Sequence, residues 1–131
     1  MTLQKVNLHK VNLEEKFGQF SDHWNPRVVG EFAGQQVKVV KFQGTFDWHH
    51  HEHEDELFWV VRGAFFMDLR DPDERQIRLE AGEFLVVPHG TVHRPRAEEE
   101  VWVALIEPTG TLNTGNVQSE RTRDPHALER L

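Results

Sequence analysis

The chain has 131 residues, which is room for one domain with one hydrophobic core. Its 22 acidic residues outnumber its 15 Lys and Arg residues, and no basic stripe is present, so nucleic acid is not an expected partner. There is no cysteine, so a metal ion would need nitrogen and oxygen ligands. The N-terminus lacks a signal-peptide core and the longest apolar stretches are far too short to span a bilayer. We therefore expect a cytoplasmic protein with no membrane partner.

The N-terminal region predicts one short helix. Leu13, Phe17 and Phe20 recur at helical spacing behind Asn12, a candidate N-cap with Glu15 three residues later. After residue 26 the pattern changes, and the apolar residues within 28–32 and 37–42 flank an Ala-Gly turn as they would in a β-hairpin.

The rest of the chain predicts short strands separated by turn residues, at 57–61, 65–69, 77–79, 84–87 and 101–106. Their even spacing favours an all-β sandwich or barrel. Because the strand at 57–61 is apolar on both faces, one face should line the barrel while the other packs on an extra layer or a second subunit. A homodimer is the simplest expectation. The polar tail, 111–131, is either loose or lies across a neighbour.

The segment HHHEHEDE at 49–56 holds the densest group of potential ligands. Side chains alternate along an extended chain, so His49 and His51 share one face, and parity also allows His53 there. The acidic residues 52–55 predict a turn, after which Glu56 begins a strand and can face the same ion. The alternative is an exposed loop that binds metals weakly. For His50 and His53 taken singly, a structural, hydrogen-bonded role is favoured.

Two spaced motifs resemble those of the cupin superfamily. In the first, a His-x-His pair, a four-residue gap to Glu and a six-residue gap to Gly fit His49, His51, Glu56 and Gly63. The preceding Gly44 departs from the family pattern by one position. In that pattern the first histidine lies six positions after the glycine, which in this chain is His50 rather than His49. In the second motif Gly, Pro, Gly and His fall at 82, 88, 90 and 93, and only the final Asn is replaced, by the Ala at 97.

The resemblance implies a double-stranded β-helix, or jelly-roll, barrel over residues 28–110. An N-terminal extension with the short helix, 1–27, would precede it, and the tail would follow. It also implies that His49, His51, Glu56 and His93 hold one divalent metal ion. Three imidazoles and one carboxylate suit Fe, Mn, Ni, Zn or Cu, and an octahedral ion would keep about two positions open for water or substrate.

The leading functional hypothesis is a metal-dependent enzyme acting on a small organic molecule, of the dioxygenase, lyase or isomerase type. The catalytic residues are not identified by the sequence. The alternative is a non-catalytic module that binds or senses a small molecule through the same metal, and a weaker one is a barrel that binds ions only incidentally. By alternation, the candidates to line a cavity, each also explicable as plain core, are Phe42, Phe58, Val60, Trp102 and Ala104.

Overall fold

A computed structural model describes residues 6, 8–70 and 72–131, and within them it contains one short helix and seven strands. The helix α1 is Leu13–Phe17. The strands are β1 Arg27–Phe32, β2 Gln35–Thr45, β3 Glu56–Arg62, β4 Ala64–Arg70, β5 Glu74–Glu80, β6 Phe84–Val87 and β7 Val92–Pro108. No helix among the described residues is long and apolar enough to cross a membrane.

The strands form an antiparallel jelly-roll barrel, as the sequence predicts. The long strand β7 belongs to both sides of it: its first half pairs with β4, and its second half pairs with β3. Strand β2 runs beside β7 along most of its length, with a register shift between Phe42 and Gly44. Strand β7 therefore carries the side chains that meet at the centre of the barrel.

The N-terminal helix supplies a local second layer outside the barrel. The Glu15 amide donates to the Asn12 side chain at 3.0 Å, so the predicted cap is confirmed. Phe17 is fully buried and stacks on Trp102 with ring centroids 4.9 Å apart. The same small cluster includes the partly buried Val61 of β3. Part of the outer apolar face of β3 is thus covered by this chain's own helix.

Of the five residues that alternation offered as cavity lining, two line it, two face outward, and Val60 is buried in the core of the barrel without lining the cavity. Phe42 and Phe58 line the internal cavity. Trp102 instead points outward and packs on the helix. Ala104 is two residues further along β7 and therefore points outward too. The residues of β7 that point inward are Val101, Val103, Leu105 and Glu107. When both faces of a strand are apolar, hydrophobicity alone does not tell which residues point into the barrel.

The polar tail packs on its own barrel and is therefore not loose. The Leu131 amide donates to the Val28 carbonyl at 3.0 Å, and the Ser119 hydroxyl donates to Asp47 at 2.7 Å. Backbone and side-chain hydrogen bonds to two separate parts of the barrel therefore fix the tail across it.

Candidate metal centre

An antiparallel backbone bridge joins His49, in the segment at 49–56, to His93 on β7 and places both residues in the site. The amides of His49 and His93 each donate to the other's carbonyl, at 3.1 and 2.9 Å. This pairing sets the two imidazoles side by side, with ring centroids 4.2 Å apart. The chain then turns through its acidic residues, and Glu56 is the first residue of β3, as the sequence predicts.

The structure brings together all four side chains expected at the centre. His49, His51, Glu56 and His93 each offer a ligand atom, and these atoms lie within 4.8 Å of one another. Each residue is at most 4% exposed. Glu56 Oε1 lies 2.9 Å from His51 Nε2 and 3.1 Å from His93 Nε2. The cluster is therefore compact, buried and centred on one carboxylate.

Backbone carbonyls orient two of the imidazoles. His49 Nδ1 lies 2.9 Å from the Asp47 carbonyl, and His93 Nδ1 lies 2.8 Å from the Thr91 carbonyl. Because a carbonyl only accepts, Nδ1 is the donor in both rings. This leaves Nε2 of His49 available to a metal, while Nε2 of His93 lies in hydrogen-bond contact with Glu56 Oε1 at 3.1 Å. Donation from Nδ1 to a backbone carbonyl is the arrangement that metal-binding histidines use.

The third imidazole is buried without a hydrogen bond. Both ring nitrogens of His51 lack a partner of acceptable geometry among the described residues, although Glu56 lies close to one of them. An unpaired buried polar atom is costly unless something else satisfies it. Nitrogen lone pairs around a carboxylate suit a divalent cation, so these residues fit a metal ion.

The charge states of the cluster also suit a cation. Burial, reinforced by His93, lowers the pKa of His49 to about 4, so this imidazole is neutral near pH 7. Burial acts to raise the pKa of Glu56, but contacts with His51, His93 and Glu107 lower it well below its usual range. A neutral imidazole and an ionised carboxylate are the forms that bind metals.

His49 and Glu56 open onto a small internal cavity of about 30 Å³, enough for one or two water molecules. Its walls are mostly apolar and aromatic. The other residues that line it are Trp24, Pro26, Val40, Phe42, Phe46, Phe58, Pro95, Leu105, Glu107 and Asn113. Such a cavity shields the cluster from bulk water and favours a small, partly apolar ligand.

Glu107 is a buried carboxyl in this cavity that sequence reasoning missed. Its Oε1 accepts from Lys38 Nζ at 2.7 Å, and both side chains are at most 2% exposed. Its Oε2 is buried without a hydrogen-bond partner. Burial and the neighbouring Glu56 raise the pKa of Glu107 well above its usual value. The available signal was alternation, because the inward set of β7 continues from Leu105 to this residue.

Comparison with known proteins adds the family to this geometry. Residues 37–107 match the family model described as the cupin domain. The chain belongs to the cupin family. A cupin-2 domain protein of Shewanella frigidimarina has the same fold with a TM-score of 0.71 and 43% identity, over 75% of this chain and 93% of that one.

Of two curated relatives of this cupin, one has a name that states an activity and the other does not. The Bacillus subtilis protein YdbB is 36% identical over 85 residues, which is 65% of this chain and 67% of YdbB. The acireductone dioxygenase 1 of Coprinopsis cinerea is 38% identical over an alignment of 121 positions that covers 80% of this chain and 66% of that enzyme. The match spans only about half the length of several other acireductone dioxygenases.

The remaining histidines of the cupin segment lie outside the cluster. His50 Nε2 is 2.8 Å from Glu52 Oε1, which agrees with the structural role favoured for it. His53 is exposed and does not belong to the group of four, although its parity allowed it there. The chain bends at residues 52–53, so strand alternation no longer applies at this position.

Proposed function

We propose that this cupin is a metal-dependent enzyme that acts on a small organic molecule. His49, His51, Glu56 and His93 would hold one divalent ion. The observation that carries the proposal is the convergence of four buried ligand atoms within 4.8 Å. The neutral His49 imidazole and the lowered pKa of the Glu56 carboxyl support it, because a neutral imidazole and an ionised carboxylate are the ligand forms that a divalent ion requires.

Within this class we propose a dioxygenase that uses Fe²⁺. The support is the similarity to acireductone dioxygenases, of which the Coprinopsis cinerea enzyme is 38% identical over an alignment of 121 positions. Three imidazoles and one carboxylate would leave about two positions open on an octahedral ion. When bound, the ion would supply Lewis acidity and open coordination positions beside the cavity.

The chain's own residues would bind and orient the substrate. The aromatic walls, including Phe42 and Phe58, would contact the apolar part of a substrate, and because the cavity has room for only one or two water molecules, they would have to move apart to admit it. Glu107, fixed by Lys38, presents its unpaired Oε2 to a hydroxyl group of the substrate. A small organic molecule with a hydroxyl group and an apolar part would satisfy both surfaces.

Metal content and oxygen uptake test this proposal. Tag-free protein purified without added metal should carry close to one ion per chain, and the Fe²⁺-loaded protein should consume oxygen with acireductone. His93→Ala should lose both properties. Metal retention by His93→Ala would contradict the ligand set. Full metal occupancy without oxygen uptake, across a panel of small enols, would instead favour a lyase, an isomerase or a non-catalytic binding module.

We also propose that the protein is a cytoplasmic homodimer. An exposed apolar patch supports the dimer: Trp59, Phe84 and Val86 are 45%, 57% and 47% exposed, and the first two rings lie 5.9 Å apart. Strand β6, which carries part of the patch, pairs only with β3 among the described residues, and a second copy could cover both its edge and its apolar side chains. Sedimentation should show a dimer that Phe84→Glu dissociates, and a monomeric wild type would contradict it.

A further inference from the structure

The C-terminal tail makes hydrogen bonds on both sides of His49, to His50 and to Asp47. The Asn116 amide donates to the His50 carbonyl at 3.1 Å, and the His50 amide donates to Asn116 Oδ1 at 2.8 Å. On the other side, Asp47 accepts from the Ser119 hydroxyl at 2.7 Å. Its carbonyl is the group that orients the His49 ring. The tail therefore fixes the backbone on both sides of this imidazole.

Gly115 lies against the backbone of the His49 segment and leaves no room for a side chain. A Cβ atom at this position would lie 2.2 Å from the His50 carbonyl oxygen and 3.1 Å from Cδ2 of His49. The nearer contact is with backbone, so no side-chain rotation relieves it. Gly115 also has φ +56°, which glycine adopts without strain. Only a residue without a side chain fits here.

The turn that carries Gly115 is rigidly built. The Gly115 amide donates to the Leu112 carbonyl at 2.9 Å. Thr114 is fully buried, and its hydroxyl donates to the Val117 carbonyl at 2.7 Å. The side chain of Asn113 donates from Nδ2 to the Arg121 carbonyl at 2.8 Å, and its Oδ1 accepts from the Arg123 backbone amide at 2.9 Å. A side chain added at Gly115 therefore presses on the His49 segment, because the turn cannot yield without breaking these bonds.

We infer that Gly115 is a positioning residue of the metal centre, and that the tail turn at 112–117 acts as a clamp that sets the His49 imidazole. The inference rests on the proposed metal-binding function. Outer contacts that orient a ligand typically affect metal affinity by about 10- to 100-fold. The clamp thus makes the metal affinity of the site depend on a segment outside the matched cupin domain, which ends at residue 107.

The test compares Gly115→Ala with Gly110→Ala by titration with Co²⁺. Gly110 lies in the same part of the chain and has φ +89°, so alanine is strained at both positions. A Cβ at Gly110 would meet only His126, at an ordinary 3.6 Å. We expect Gly115→Ala to lower Co²⁺ affinity at least about 10-fold and Gly110→Ala to stay within about twofold of wild type. Only Gly115→Ala should change the visible absorption of bound Co²⁺, which reports the ligand arrangement.

A second variant keeps the inference testable if Gly115→Ala does not fold. Asn116→Ala removes the acceptor for the His50 amide without adding bulk, and it should weaken Co²⁺ binding several-fold with the same spectral trend. Wild-type affinity and spectrum in a folded Gly115→Ala protein, or in Asn116→Ala, would overturn the clamp. Wild-type protein that binds no Co²⁺ would instead contradict the metal centre itself, so the two failures are distinguishable.

Discussion

Two buried carboxylates on different strands of the barrel, one on its outer face and one on its inner face, show what separates a structural cluster from a site. Asp68 lies on the outer face, beside Arg94 and Arg96 of β7. It accepts hydrogen bonds of 2.9 to 3.1 Å from Arg94 and two of 3.1 Å from Arg96. Guanidinium groups stay charged at any relevant pH, so this carboxylate is fully compensated by the protein itself.

Glu56 lies on the inner face and lacks such compensation. Its neighbours are imidazoles, and burial holds His49 in the neutral form. Neither ring nitrogen of His51 has a hydrogen-bond partner of acceptable geometry among the described residues. The outer cluster is thus complete without a ligand, whereas the inner one would be completed by a cation. The contrast teaches that unsatisfied donors and charge, rather than the burial of a carboxylate, indicate the functional site.

The largest expected effect is on metal affinity. Glu56→Gln should weaken divalent-metal binding by at least about 100-fold, which is about 2.7 kcal/mol, because it removes the negative charge at the centre of the ligand set. Asp68→Asn should leave the affinity unchanged. Isothermal titration with Mn²⁺ measures both. Equal losses in the two variants would remove the distinction between the clusters.

The next effect is on folding stability, where the Asp68 substitution should have a larger effect than the Glu56 substitution, the reverse of the order for metal affinity. Asp68→Asn should lower the free energy of unfolding by about 2 kcal/mol, since it weakens several charge-assisted hydrogen bonds at a buried position. Metal-free Glu56→Gln should lose less, because no permanent cation depends on that carboxylate. Urea denaturation of both metal-free variants tests this. A larger loss for Glu56→Gln would contradict the structural role given to Asp68.

The smallest effect is the dependence of that stability difference on pH. Burial acts to raise the pKa of Asp68, but hydrogen bonds from Arg96 and Arg94 outweigh it and lower the pKa. A carboxyl with a lowered folded-state pKa adds stability above its unfolded value, about 4, and loses it as the pH falls through the folded value. The gap between wild type and Asp68→Asn should therefore be constant from pH 7 to 5 and shrink below about 4. A constant gap at lower pH would show that the arginines do not shift this pKa.

Much of the fold and the core of the site could be predicted from the sequence. The short apolar strands at even spacing favoured a sandwich or a barrel, and the resemblance of two motifs to those of cupins implied the jelly-roll barrel. The choice of His49 over His50 follows from the distances along the chain to Glu56 and Gly63. These features are local, because strand alternation and motif spacing act over a few residues.

Other features depend on contacts between distant parts of the chain and were decided only by the tertiary structure. Lys38 and Glu107 pair across two neighbouring strands, and Gly115 meets His49 because the tail folds back over the barrel. Composition described that tail only as polar, which does not distinguish a loose segment from a packed one. The sequence by itself determined which side chains can bind a metal. The fold decided how those side chains are held, because a buried pair or a close backbone approach exists only once remote residues meet.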